Sequence, residues 1–135
     1  MENFVLYHEI FKKDGMIMYK GRKKGTISYV AVSCIDKDQR IKVTNHVRIV
    51  YDLDHEHVVR FYEWYETSNH LWLVTDLCVG GSLQQMLIED ICFPEPSVRM
   101  FGAHLIRGLQ YLHERGIVFV NWHPSKVSPI SSSLK

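Results

Sequence analysis

The sequence has no long apolar run, no excess of charge of one sign and no paired set of cysteines. No segment approaches the roughly eighteen apolar residues of a membrane span, so no membrane association is expected. A formal charge of +1 is too small to hold nucleic acid electrostatically. Cys34, Cys78 and Cys92 are widely spaced and odd in number, which fits neither a disulfide framework nor a zinc knuckle. We therefore expect a cytoplasmic protein with reduced thiols.

What is present is the composition of an ordinary globular chain. Of 135 residues, 46% are hydrophobic and 23% are charged, which is typical of a folded domain and not of a disordered one. His55 and His57 stand close together in the sequence, but no third ligand accompanies them. We interpret them as surface or capping residues, and we expect no metal.

The first part of the chain is typical of short strands separated by polar turns. Its extended segments are rich in β-branched and aromatic residues, and two breaks between them carry turn-forming residues. These breaks, Lys12-Lys13-Asp14-Gly15 and Thr67-Ser68-Asn69, predict two hairpins. The predicted strands cover residues 4–10, 16–20, 28–33, 58–66 and 70–77.

Three segments have features of helices. In residues 43–53 apolar side chains recur every three or four positions, with Thr44 and Asn45 as the expected caps. Ser82 is the expected cap of a short helix that ends at Leu87. A longer helix is predicted for residues 94–115, with an apolar stripe and a stop at Gly116. The stripe consists of Val98, Phe101, Leu105, Leu109 and Leu112.

Several local motifs in this order resemble the protein-kinase family. Tyr19-Lys20-Gly21 resembles the end of the glycine-rich hairpin, and Val30-Ala31-Val32 resembles the strand that carries the phosphate-binding lysine. Leu73-Val74-Thr75-Asp76-Leu77-Cys78 resembles the hinge, followed by Gly80-Gly81-Ser82-Leu83. Further on, Gly108-Leu109-Gln110-Tyr111-Leu112-His113 resembles the approach to the catalytic loop. Residues 21–26 and 65–74 are most similar to a pseudokinase of the Unc-51-like serine/threonine kinases.

This resemblance implies an α+β fold. A small lobe, with a five-stranded antiparallel sheet and one helix, would be followed by the first helices of a large lobe. The implied domains are a small lobe with hinge at 1–79, a partial large lobe at 80–127 and a divergent, disordered tail at 128–135. The magnesium site and most of the large lobe of the family would follow Lys135, so we expect a truncated chain.

The same alignment predicts that the catalytic groups are replaced. Ser33 stands at the position of the phosphate-binding lysine, and His46 at that of its glutamate partner. Asn121 replaces the catalytic aspartate, and a neutral amide cannot accept the proton of a substrate hydroxyl. Lys126 replaces a magnesium-binding asparagine, which puts a cation where the metal needs an oxygen ligand. Phe11, Lys13 and Met16 replace the glycines of the phosphate-binding loop.

The adenine pocket is better preserved than the phosphate site. The resemblance places Ile10, Met18 and Ala31 in its roof and Thr75 at the gatekeeper position. Asp76, Leu77 and Cys78 would supply the hinge backbone. These residues would suit ATP bound without magnesium, but a small lobe needs the same residues simply as core. The sequence leaves both interpretations open.

We therefore expect a degenerate kinase domain that is not an enzyme. It would bind a protein partner, and an apolar helix face exposed by truncation would favour association. The family implies cytoplasmic roles linked to microtubules or cilia. Two alternatives stay open: an atypical serine/threonine kinase that uses displaced residues, and an unstable fragment without function.

Overall fold

The computed structural model describes residues 2–78, 82–89, 92–118, 123, 126–128 and 133–134. A five-stranded antiparallel sheet has the strand order β1-β2-β3-β5-β4. Three α-helices, a 3-10 turn at Lys37–Gln39 and a short two-stranded ladder complete the described elements. The elements are β1 (Phe4–Lys13), β2 (Met16–Lys23), β3 (Tyr29–Asp36), α1 (Arg40–Val50), β4 (Phe61–Glu66), β5 (His70–Asp76), α2 (Leu83–Ile88), α3 (Glu95–Glu114), β6 (Val127–Ser128) and β7 (Ser133–Leu134).

The chain forms two compact units. Unit 1 comprises Met1–Leu53 and Arg60–Leu77, and unit 2 comprises Asp54–Val59 and Cys78–Lys135. The α+β fold predicted from the sequence is confirmed: unit 1 carries the five-stranded sheet and α1, and unit 2 carries the following helices. No described helix is long and apolar enough to cross a membrane. The domain boundaries proposed from the sequence stay predictions.

The core of unit 1 lies on both faces of the sheet. Because successive residues of a strand point to opposite faces, the buried strands β3 and β5 contribute to two clusters. The cluster on one face includes Val43 of α1, and the cluster on the other face includes Phe4 of β1. The first cluster contains Ile35, Phe61, Leu71 and Leu73, and the second contains Val30, Val32 and Val74.

The hairpin of β1 and β2 is longer than the sequence predicts. β1 extends to Lys13 instead of ending at residue 10, and β2 extends to Lys23 instead of residue 20. Polar residues continue the strands because ladder hydrogen bonds need only backbone groups. The turn is closed by Gly15, whose φ of 77° is readily available only to a residue without a side chain.

Helix α1 begins earlier than predicted, so Thr44 and Asn45 are not caps. The helix starts at Arg40, directly after a 3-10 turn at Lys37–Gln39, and the Thr44 hydroxyl donates to the Arg40 carbonyl inside the helix. Lys37 and Arg40 both pair with Glu66 of β4, at 3.2 and 2.7 Å. These ion pairs attach the start of α1 to the edge of the sheet.

In unit 2 the predicted start and stop signals are confirmed. Ser82 accepts a hydrogen bond from the Gln85 amide and the Gln85 side chain accepts from the Ser82 amide, which is a capping box at α2. Pro94 precedes α3, and Gly116 follows it with a φ of 76°. Within the predicted apolar stripe, Val98 is the exception because 53% of its surface is exposed.

The segment Asp54–Val59 packs within unit 2 through aromatic contacts. The ring of His57 stacks on His104 of α3 with centroids 4.2 Å apart, and the His55 ring lies 4.9 Å from Tyr111. His55 also accepts a hydrogen bond from the His57 amide, as a capping residue does. His57 is buried, so its interpretation as a surface residue is wrong.

The tail is only partly described. Ser128, Ser133 and Leu134, which fall in the segment predicted to be disordered, belong to the β6–β7 ladder. Positions 129–132 and Lys135 lie outside the described residues.

Candidate functional site

The register of the sheet brings most of the predicted adenine roof onto one face, which we call the α1 face. Residues opposite each other in an antiparallel ladder share a face. Met18 pairs with Ser33, and Ala31 pairs with both Lys20 and Thr75. The α1 face therefore carries Met18, Ala31 and Thr75 together. Ala31 is 2% exposed, so its small side chain is almost completely covered by protein atoms.

Ile10, the other predicted roof residue, lies in an irregular part of β1. The pairing changes register between Glu9 and Phe11, and Ile10 falls inside that change. Phe11 instead takes the regular position opposite Met18, with 45% of its surface exposed. The structure thus places an aromatic side chain beside the predicted roof where the family has a glycine.

The predicted hinge residues Asp76, Leu77 and Cys78 follow directly on Thr75 and are all partly buried. Asp76 is the last residue of β5, and its amide donates to the Arg60 carbonyl at 2.9 Å. Leu77 ends unit 1 and Cys78 begins the longer segment of unit 2. Val79, Gly80 and Gly81, the next residues of the motif, lie outside the described residues.

The phosphate end of the α1 face carries neutral groups at the two positions where the family pairs a lysine with a glutamate. Ser33 is 5% exposed and sits in the middle of β3, between Met18 and Leu73. His46 lies on α1 with an exposed side chain. Nearby protein atoms nevertheless remove hydration from its ring, and this desolvation lowers the pKa of His46.

The glycine-rich loop of the family is a tight two-residue turn here. Lys13 and Met16, at two of the family's glycine positions, pair with each other directly beside that turn. Lys13 is exposed and Met16 packs against the core beneath α1. Side chains at these positions limit how closely a phosphate oxygen can approach the backbone.

The predicted catalytic-loop residues can be followed only in part. Asn121 lies outside the described residues. Lys126 is partly buried, and its amide donates to the His123 carbonyl at 2.9 Å. Among the described residues no group of three or more His, Cys, Asp or Glu side chains is arranged to hold a metal ion.

A cavity of about 470 Å³ opens at the β1–β2 turn of unit 1. It is lined by Ile17 and Cys34, which pair with each other on the face opposite to α1. None of the predicted adenine-pocket residues lines this cavity. The cavity is therefore separate from the predicted adenine residues, although Lys13 and Met16, at two of the family's glycine positions, also line it.

The structure adds residues that the sequence analysis missed. Lys20, named above only as part of the motif that resembles the end of the glycine-rich hairpin, lies on the α1 face opposite Ala31 with its ammonium 4.4 Å from the centre of the Tyr29 ring. Tyr62 and Arg60 contact the hinge residue Asp76. Because side chains alternate along a strand, the sequence could have assigned Lys20 to the face of Met18. No local sequence pattern predicts the contacts of Tyr62.

Comparison with known proteins gives the same family as the motifs. The model of the protein kinase domain matches residues 15–125. Serine/threonine-protein kinase ULK4 of Mus musculus is 50% identical over 127 residues, which is 94% of this chain and 10% of that protein. Serine/threonine-protein kinase RUNKEL of Arabidopsis thaliana is 42% identical over 127 residues, which is 94% of this chain and 9% of that protein.

A third relative matches a shorter part of the chain. Serine/threonine-protein kinase kin-29 of Caenorhabditis elegans is 34% identical over 97 residues, which is 72% of this chain and 12% of that protein. The chain thus spans about a tenth of the length of these three curated relatives.

Proposed function

The chain belongs to the protein-kinase family, and we propose that it is a catalytically inactive member that acts by binding. In this proposal the chain binds a protein partner and binds ATP without magnesium, and it does not transfer phosphate. A cytoplasmic location and a link to microtubules or cilia are parts of the same proposal and rest on the resemblance alone.

The observation that carries the proposal is the buried Ser33. Phosphoryl transfer asks a kinase for a lysine on the phosphates, a glutamate that orients it, a base and magnesium ligands. At the lysine position the chain has a hydroxyl that is 5% exposed between Met18 and Leu73. At the glutamate position it has His46, whose pKa is lowered by desolvation, so the ring is neutral at neutral pH. Neither group balances the charge of a triphosphate.

Adenine binding needs different features, and the arrangement of residues on the α1 face is compatible with them. A flat apolar surface stacks on the base, and backbone groups of the hinge form its hydrogen bonds. Met18, Ala31 and Thr75 share the α1 face, and Asp76 follows directly. These features support nucleotide binding that depends on the base more than on the phosphates, which is why magnesium is not required in the proposal.

Exposed apolar side chains support the proposal of a protein partner. On α3, Val98, Met100 and Ile106 are 53%, 48% and 58% exposed. Val98 and Ile106, eight residues apart, fall on one broad side of α3, whereas Met100 falls on another side. Exposed apolar side chains on one side of a helix are compatible with an interaction site.

Titration calorimetry and thermal unfolding of the 135-residue chain with ATP, with and without magnesium, test the proposal. We expect saturable binding that is the same under both conditions. Ala31→Phe should abolish it by filling the adenine position, and Thr75→Met serves the same purpose should Ala31→Phe not fold. Ala103→Phe is the matched control because Ala103 is exposed on α3 in unit 2.

Three outcomes contradict the proposal. Folded protein without ATP binding would remove its nucleotide part. Phosphate transfer that copurifies with the chain and disappears in Ala31→Phe would favour the atypical kinase. The absence of a cooperative unfolding transition would favour an unstable fragment.

A further inference from the structure

The first hinge residue is held by hydrogen bonds to the start of β4. The Arg60 amide donates to Asp76 Oδ2 at 3.0 Å, and the Asp76 amide donates to the Arg60 carbonyl at 2.9 Å. The Tyr62 hydroxyl donates to the other carboxylate oxygen, Oδ1. Both oxygens of one carboxylate are therefore bound by donors from a single short segment.

An irregularity in β4 puts Tyr62 in this position. Phe61 pairs with Thr75, but the next regular pair is Glu63 with Val74, so Tyr62 is an extra residue on its strand. Such a bulge changes the direction in which a side chain points. The Arg60 guanidinium lies 5.6 Å from the centre of the Tyr62 ring, which adds a cation–π contact to the same group.

We propose that Arg60, Tyr62 and Asp76 form a clasp that fixes the backbone at the start of the hinge, with Tyr62 as a positioning residue for adenine. The inference rests on the nucleotide binding proposed above and assigns a determinant of that same site. Tyr62 does not touch the base in this proposal; it acts through Asp76.

Hinge backbone groups that bind adenine can vary only slightly in distance and angle. A hydrogen bond weakens steeply when its distance or angle departs from the optimum, so a hinge that recognises adenine through backbone groups must hold them still. Thr75 is fixed by its neighbours on both sides, because β3 and β4 both pair with it. Asp76 pairs with Val30 of β3, and on its β4 side the clasp takes over where the regular pairing of Phe61 ends.

Tyr62→Phe removes the hydroxyl and keeps the ring, and Tyr51→Phe is the matched control. Tyr51 is 69% exposed just after α1, so Tyr51→Phe removes the same hydroxyl group away from the hinge. Affinities for adenosine and for ATP are measured by calorimetry at a temperature at which every variant is fully folded. We expect Tyr62→Phe to weaken both ligands by the same factor, about fivefold, and Tyr51→Phe to change neither.

A double-mutant comparison separates the clasp from independent effects. Asp76→Ala should weaken binding at least as much as Tyr62→Phe, and the double variant should bind no more weakly than Asp76→Ala alone. Unchanged adenosine affinity in folded Tyr62→Phe, or losses that add fully in the double variant, would overturn the clasp.

Amide hydrogen exchange distinguishes failure of the clasp from failure of nucleotide binding. If the wild-type chain binds no nucleotide, the proposed function fails, but the clasp still predicts faster exchange in Tyr62→Phe at the Asp76 amide, which donates to the Arg60 carbonyl. We expect at least a tenfold increase there, with no change at Leu73 or in Tyr51→Phe, on the order of the loss of one hydrogen bond to a charged group. Equal exchange rates in wild type and Tyr62→Phe would overturn the clasp without reference to any ligand.

Discussion

The two ends of the α1 face differ in the kind of chemistry that they retain. At the hinge end, Ala31 and Thr75 pair directly on the α1 face, and the next residue, Asp76, which faces the other side of the sheet, has hydrogen-bond donors on both carboxylate oxygens. At the phosphate end, Ser33 is buried between apolar neighbours, and His46 is exposed on α1 with a pKa that desolvation by nearby atoms lowers. Both ends belong to the same sheet and share its core.

The difference shows which features packing alone can maintain. Ala31 is buried in the centre of the sheet, so close packing favours a small apolar side chain there whether or not a nucleotide binds. A buried lysine and its glutamate partner stabilise the fold only when both are present, since either one alone leaves an uncompensated charge. We infer that replacing both charged residues at the phosphate end leaves the stability of the fold unchanged. Changing the size of the buried residues at the hinge end, in contrast, lowers stability.

The largest expected effect comes from restoring one charge at the phosphate end. Ser33→Lys would bury an ammonium beside Met18 and Leu73 without a partner, and we expect it to lower the free energy of unfolding by about 3 kcal/mol. Adding His46→Glu should recover part of this loss, because the resemblance aligns the two positions as a pair. Urea denaturation of the single and double variants measures both steps.

Lys20→Arg is the control for Ser33→Lys, since it keeps a cation on the α1 face at a position that already carries one. A Ser33→Lys variant as stable as wild type would mean that the phosphate end tolerates a lone charge, and the contrast between the two ends would fail. No recovery on adding His46→Glu would mean that the two side chains do not meet.

A smaller effect is expected behind the hinge end, where β2 and β3 approach closely. A Cβ atom at Gly21 would come within 2.9 Å of Val32 Cγ2 and 3.3 Å of the Val5 carbonyl oxygen. We expect Gly21→Ala to destabilise the chain by about 2 kcal/mol, since overpacking forces neighbours from their positions. Gly102→Ala is the matched control, because a Cβ there meets nothing within 4 Å and lies inside α3.

The control should change stability in the opposite direction. Alanine is favoured over glycine within a helix by about 0.5–1 kcal/mol, so Gly102→Ala is expected to be slightly stabilising. A Gly21→Ala variant with wild-type stability would show that the hinge end can shift, contrary to the rigidity proposed for it.

These contrasts also mark what the sequence could predict. Richness in β-branched residues assigns Ala31 and Thr75 to the predicted strands 28–33 and 70–77, and the pairing of those strands then places both residues on one face. The start of α1 was missed because its first residues are polar and are held by ion pairs of Lys37 and Arg40 with Glu66, 26 or more positions along the chain. Tyr62 was missed because a bulge interrupts alternation by one residue and leaves no local signal.

The contribution of Tyr62 to the stability of the hinge end is expected to decrease at alkaline pH. Burial, and then the hydrogen bond to Asp76, raise the pKa of Tyr62 from 10.0 to about 12. Because the folded state holds this proton more tightly, the contribution of Tyr62 to stability is complete below pH 10 and is lost as the pH rises towards 12. Tyr62→Phe should therefore lose less stability than wild type between pH 9 and 11.5, as followed by urea unfolding.

Tyr65 also contributes to the loss of stability at alkaline pH, and its contribution remains in Tyr62→Phe. Its pKa is also raised to about 12, first by burial and then by a hydrogen bond with Glu63, so Tyr62→Phe removes only part of the pH dependence. The Tyr62 side chain is partly open to water, which reduces its share below the full linkage value. Identical alkaline curves for wild type and Tyr62→Phe would contradict the hydrogen bond at the hinge.

The smallest expected effect is on the pH dependence of stability at His46. It tests whether the phosphate end favours a positive charge in the folded state. Desolvation lowers the pKa of His46 below its ordinary 6.5, so the unfolded chain takes up a proton at this residue before the folded chain does. Stability is therefore complete above pH 6.5 and is lost as the pH falls through the folded-state pKa. His46→Gln should flatten the stability curve between pH 7 and 5 and match wild type at pH 8. A steeper curve in His46→Gln would mean that the folded state favours the imidazolium, and the phosphate end would then hold a cation that could take the place of the missing lysine.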